Sequence, residues 1–110
     1  MREPLRPSEK RRSPRIDVDF PVTLSWGKKE YRWRARQFSE FGILLASTHK
    51  ELVGQDVDLI LALDSYDTDV ALSGIVVYST DAGVAVRFKN LTTDQRATLR
   101  AFIEMHRKMN

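Results

Sequence analysis

The chain has no cysteine, which excludes a disulfide framework and any thiolate metal site. It has no long apolar run either. A stretch such as Leu59 to Leu63 is far too short to cross a bilayer, so membrane insertion is not expected. The first fifteen residues are charged and lack the apolar segment of a signal peptide, and the reading is a cytoplasmic protein. Only two histidines occur, and no P-loop, GxSxG or GxGxxG sequence is present. His49 falls in a turn and reads as a solvated loop residue. His106 lies near the end of a helix and reads as a core-edge residue. Asp56 and Asp58 share one strand face with no histidine near them in sequence, the pattern of an exposed polar face rather than an acid–base pair. These absences leave a binding module, with no catalytic or metal-ligating residue assigned.

With 110 residues the chain can build one modest core and not two. Its net charge of +3 hides an asymmetry: residues 1–36 carry +6 and the remainder −3. The first third therefore favours an anionic partner. Residues 1–14, MREPLRPSEKRRSP, hold three of the four prolines and almost no apolar side chains. They cannot bury a face, and the sequence predicts an arm without regular structure, residues 1–10, leading into a folded domain at 11–110.

From Ile16 the pattern changes. Ile16, Val18, Phe20, Val22, Leu24 and Trp26 occupy every even position, the period of a half-buried strand. Pro21 falls on the polar phase and predicts an edge or a bulge there. Gly27-Lys28-Lys29 reads as a hairpin turn into a second alternating run. There Tyr31, Trp33 and Ala35 oppose Arg32, Arg34 and Arg36. Further strands are predicted at Ile43 to Ala46, Val57 to Leu63, Val70 to Tyr78 and Val84 to Phe88, with a turn at Asp64 to Asp67. The period then switches. Thr92 and Gln95 fit a capping box, and Leu99, Phe102, Ile103, His106 and Met109 follow at helical spacing. Arg107 and Lys108 fall in the last turn, where cations complement the helix dipole. Six short strands and one terminal helix predict a mainly all-β fold, a six-stranded antiparallel β-barrel with a C-terminal α-helix.

Two stretches carry the chemistry. In Lys10-Arg11-Arg12-Ser13-Pro14-Arg15, two arginines stand four apart just before the first strand. A guanidinium can pair two N–H groups with a phosphate or with guanine O6 and N7, and its flat face can stack on a base. The second stretch, Gln37-Phe38-Ser39-Glu40-Phe41-Gly42, lies between two strands. Ser39 offers a hydroxyl there, and Gly42 permits close backbone approach or positive φ. Read alone, the same residues make a plain turn.

Together the two stretches resemble the PilZ family of cyclic di-GMP receptors, whose pattern is RxxxR ahead of the first strand and [D/N]xSxxG at a later strand edge. RRSPR, Arg11 to Arg15, matches the first element; QFSEFG matches the second at Ser39 and Gly42 but carries Gln37 in place of Asp or Asn. RIDVDFPVTL, GILL and GVAVRF are similar to the family's strands in the same order, so the resemblance covers about residues 10–105. It implies a barrel that binds cyclic di-GMP on its surface. Arg11 and Arg15 would grip guanine edges and phosphates, Ser39 and Gly42 would hold the opposite side, and Lys10, Arg12 and Gln37 would stand next to the ligand. It also implies an effector protein that reads the bound state. A PilZ-like adaptor that has lost the nucleotide is the alternative, favoured by Gln37. Single-stranded nucleic acid is the weaker partner, because strict alternation turns Tyr31 and Trp33 away from Arg32, Arg34 and Arg36.

Overall fold

The computed structural model describes residues 15–63 and 69–109. The predicted arm, with Lys10, Arg11 and Arg12, and the predicted turn at Asp64 to Asp67 lie outside the described residues. In chain order the elements are β1 (Ile16–Asp17), β2 (Pro21–Trp26), β3 (Lys29–Phe38), β4 (Gly42–Leu45), a 3₁₀ turn (Lys50–Leu52), β5 (Asp56–Leu61), β6 (Val70–Thr80), β7 (Gly83–Lys89) and the helix α1 (Thr93–Met109).

The strands pair antiparallel in the order β1-β3-β2-β5-β6-β7-β4, and β4 returns to pair with β3, which closes the sheet into a barrel. β1 and β2 are one strand broken near Pro21. Asp17 faces Gln37 and Pro21 faces Arg34, so four steps on this strand oppose three on β3. The break is the bulge expected where proline removes a ladder donor. Counted as one, they make the six strands of the expected barrel.

Inward-facing residues fill the barrel as the period-two pattern requires. Val22, Leu24, Leu59, Leu61, Val76, Val84 and Val86 are all buried. α1 closes one end. Its Leu99, Phe102 and Ile103 are buried, and Phe102 meets Phe20 and Phe38 edge-on with ring centroids 5.7 and 5.6 Å apart. The helix starts where the sequence places its cap: the Thr92 N–H donates to Gln95 Oε1 at 2.8 Å, and Thr92 Oγ1 accepts from the Gln95 N–H at 3.0 Å. Gln95 Nε2 also donates to the Ala71 carbonyl on β6, tying the start of the helix to the barrel.

Candidate functional site

The turn Ser39–Gly42 joins β3 to β4, and its geometry is set by its own side chains. Ser39 Oγ accepts from the backbone N–H groups of Phe41 (3.2 Å) and Gly42 (3.3 Å), while the Ser39 N–H donates to the Gly42 carbonyl at 3.0 Å. A serine hydroxyl competing for backbone partners in this way stabilises a turn. It leaves the hydroxyl hydrogen as the group Ser39 can offer outward. Gly42 has no room for a side chain: a Cβ would lie 2.6 Å from the Val86 carbonyl oxygen of β7. The close approach expected at Gly42 is therefore made by a neighbouring strand of the barrel itself.

Beside this turn the outer face of the barrel is scooped into a cleft of about 230 Å³. Its floor follows the cross-strand row Gln37–Leu44–Ala85–Tyr78, read across β3, β4, β7 and β6. Gly42 and Arg87 face each other in the next row. Two bulges frame the row. β3 carries one extra residue, Arg36, between Ala35 and Gln37, and β6 carries one, Val77, between Val76 and Tyr78. Each re-aims the side chain that follows it, which places Gln37 and Tyr78 at opposite margins of the cleft. Phe41, Val77 and Tyr78 line it with large apolar surfaces that remain 43–50% exposed.

Of the residues singled out in the sequence, the cleft brings together Arg15, Gln37, Ser39 and Gly42. The RxxxR end of the chain and the second motif thus share one surface. Arg15 is exposed and has no hydrogen-bond or ion-pair partner among the described residues. Among the lining residues that sequence reasoning missed are Phe41, Val77, Tyr78 and Arg87. Val77 and Tyr78 had a signal, since Val76-Val77-Tyr78 interrupts the alternation of β6. Arg87 had none beyond its charge. Sequence reasoning also missed Glu40, whose carboxylate turns away from the cleft to α1. There Arg100 Nε approaches Oε2 at 3.1 Å, and Arg96 stands 3.6 Å from Oε1.

Arg34 is paired with Asp19 at 2.8 Å, and Arg36 donates to the Ala82 carbonyl. Tyr31 and Trp33 stack on each other 5.0 Å apart and pack against the core, opposite to the arginines, as the alternation requires. His49 departs from its expected solvated position. Its ring leans edge-on against Tyr31 at 4.9 Å, with Nδ1 buried, because the aromatic pair offers an apolar wall and the backbone N–H is fixed by Ser79 Oγ at 2.7 Å. His106 is the core-edge residue expected: its ring lies 4.0 Å from Phe102, and Nδ1 is 3.0 Å from the Phe102 carbonyl oxygen. Asp56 and Asp58 are both exposed, Asp56 paired with Lys89 and Asp58 accepting from Ser73 Oγ. Among the described residues no group of His, Asp and Glu could hold a metal ion, and no helix is long and apolar enough to cross a membrane.

The fold recurs in solved structures. The PilZ domain of CeSA from a cellulose-synthesising bacterium superposes with a TM-score of 0.70 at 15% identity, covering 86% of this chain and 99% of that one. The PilZ domain of Escherichia coli YcgR, solved with cyclic di-GMP, gives 0.69 at 14% identity over 91% and 94%. The Bacillus subtilis inhibitor of motility MotI gives 0.70 at 17% identity; the match covers 87% of this chain and 51% of MotI, about half its length. No curated protein matches the sequence. The sequence profile of the PilZ domain matches residues 9–105, from ahead of the RxxxR arginines to within α1, and the chain belongs to the PilZ domain family.

Proposed function

We propose that this protein is a cytoplasmic cyclic di-GMP receptor that works as an adaptor. On this reading residues 1–10 are a flexible arm and residues 11–110 the receptor domain. Binding of the dinucleotide folds the arm across the cleft and changes the surface shown to an effector protein. The observation that carries this reading is the meeting of Arg15 with Gln37, Ser39 and Gly42 in one open cleft. Arg11 and Arg15 take guanine edges and phosphates in bidentate pairs, with Arg12 and Lys10 adding positive charge beside them. Ser39 donates its hydroxyl hydrogen. Gly42 lies beside it in the cleft and completes the opposite side of the site. The solved complex of YcgR with cyclic di-GMP, and that of Klebsiella pneumoniae MrkH, support the choice of ligand. Ordering the arm costs conformational entropy, which the ligand contacts must offset. No catalytic role is assigned to any residue.

Gln37 is the departure from the family pattern. An Asp there accepts from guanine N1–H and N2–H₂ with a full charge, whereas Gln keeps an amide oxygen on a longer stem. A charge-assisted bond is about twice as strong as a neutral one, so the substitution weakens binding by roughly ten-fold without abolishing it.

A second reading has its own support. Ser39 and Gly42 both have structural duties, one holding the turn and the other admitting β7, and both would persist in a PilZ-like adaptor that binds only protein. Calorimetric titration of cyclic di-GMP into the wild-type chain and into Arg15→Ala separates the two. The receptor reading expects saturable heats in the wild type and a clearly weakened titration in Arg15→Ala. Absent or equal heats sink it.

A further inference from the structure

The cleft holds a second guanidinium that no motif assigns. Arg87, on β7, lines it from the barrel wall, whereas Arg15 comes from the segment leading into β1. Arg87 is exposed and has no hydrogen-bond or ion-pair partner among the described residues. Its near carboxylates are held by other cations. Asp56 lies in Arg87's own cross-strand row, through Ile75, and it is held by Lys89 at 2.7 Å. Glu40 belongs to the turn beside Gly42, the residue facing Arg87, and it is held by Arg100 and Arg96. Gln37, across the cleft floor, supplies no charge.

Two guanidiniums lining one cleft, neither with an acid partner among the described residues, make an anion site. Exposed rings of Phe41 and Tyr78 in the same cleft offer flat apolar faces for bases. Resting on the receptor reading, we infer that Arg87 is a ligand-binding residue of this cleft, taking a phosphate of the dinucleotide in a bidentate pair from the wall opposite the arm. Phosphate is the group of choice because the planar fork of five N–H donors matches its oxygens, and because a wall fixed by β7 needs no ordering to present that fork.

The test titrates cyclic di-GMP into four chains: wild type, Arg87→Ala, Arg87→Lys and Arg32→Ala. Arg32 is exposed and equally unpartnered but does not line the cleft. Loss of a charge-assisted bidentate contact is expected to weaken Arg87→Ala by about ten-fold or more, with Arg87→Lys in between and Arg32→Ala at the wild-type affinity. Thermal unfolding of Arg87→Ala should match wild type, since no hydrogen bond or ion pair among the described residues is removed. Wild-type affinity in Arg87→Ala overturns the role of Arg87 and leaves the receptor reading intact. A loss shared equally by Arg32→Ala, or accompanied by a lowered unfolding midpoint, also overturns it. Absence of binding by the wild-type chain overturns the receptor reading and this inference together.

Discussion

The two sides of the turn Ser39–Gly42 treat arginine in opposite ways. On the helix side, Arg96 and Arg100 converge on Glu40, whose side chain is only 14% exposed, and its carboxylate is engaged by both. On the cleft side, one residue further along, Arg15 and Arg87 face solvent with no acid partner among the described residues. A single four-residue turn therefore separates guanidiniums that anchor a helix from guanidiniums left available. The lesson is about allocation. A guanidinium that stabilises the fold has its donors spent, and one that is to bind a ligand must be kept from the carboxylates around it. Here this is done by committing Glu40 and Asp56 to other cations.

The comparison can be broken most sharply from the cleft side. Arg15→Ala should cost about 1.5–3 kcal/mol of binding, the range for hydrogen bonds to charged groups, or roughly ten- to a hundred-and-fifty-fold in Kd by calorimetry. Its unfolding midpoint should not move, because Arg15 has no partner among the described residues to lose. At the junction itself, Gly42→Val drives a side chain into the Val86 carbonyl oxygen. It should cost about 1–3 kcal/mol of stability, as overpacking does, and should lower the melting temperature and the affinity together. Gln37→Asp sharpens the comparison in the other direction. It should tighten binding by roughly ten-fold if position 37 meets a guanine edge; an unchanged Kd would show that it does not touch the ligand. The smallest effect belongs to the helix side. Glu40→Gln should cost about 1 kcal/mol in chemical unfolding, because the two arginines keep much of their solvent contact.

Much of this was legible in the sequence for a physical reason. Strand alternation from Ile16 to Trp26, the helix period through Leu99, Phe102 and Ile103, and the Thr92–Gln95 cap are local signals, and each appears where it was read. The pairing of Arg15 with Ser39 and Gly42 was legible through motif order. What stayed hidden depends on partners distant in sequence. The bulges at Arg36 and Val77 exist because the opposing strands advance one residue less, and neither strand alone records that. Gly42 looked like a ligand-facing glycine, but its need for space comes from Val86, more than forty residues on. Glu40 and Arg100 are sixty residues apart in sequence. Arg87 was invisible as a site residue because its availability is decided by which cations Asp56 and Glu40 meet, a property of the closed barrel.

The most direct test of the central claim follows backbone amide chemical shifts while cyclic di-GMP is titrated into the labelled chain. A cleft that binds through Arg15 and the β3–β4 turn predicts saturable shifts clustered at Arg15, Gln37 to Leu44 and Ala85 to Arg87, with Leu59 to Leu61 on β5 unmoved. No shifts at saturating dinucleotide, or shifts centred on Tyr31 and Trp33, would contradict it.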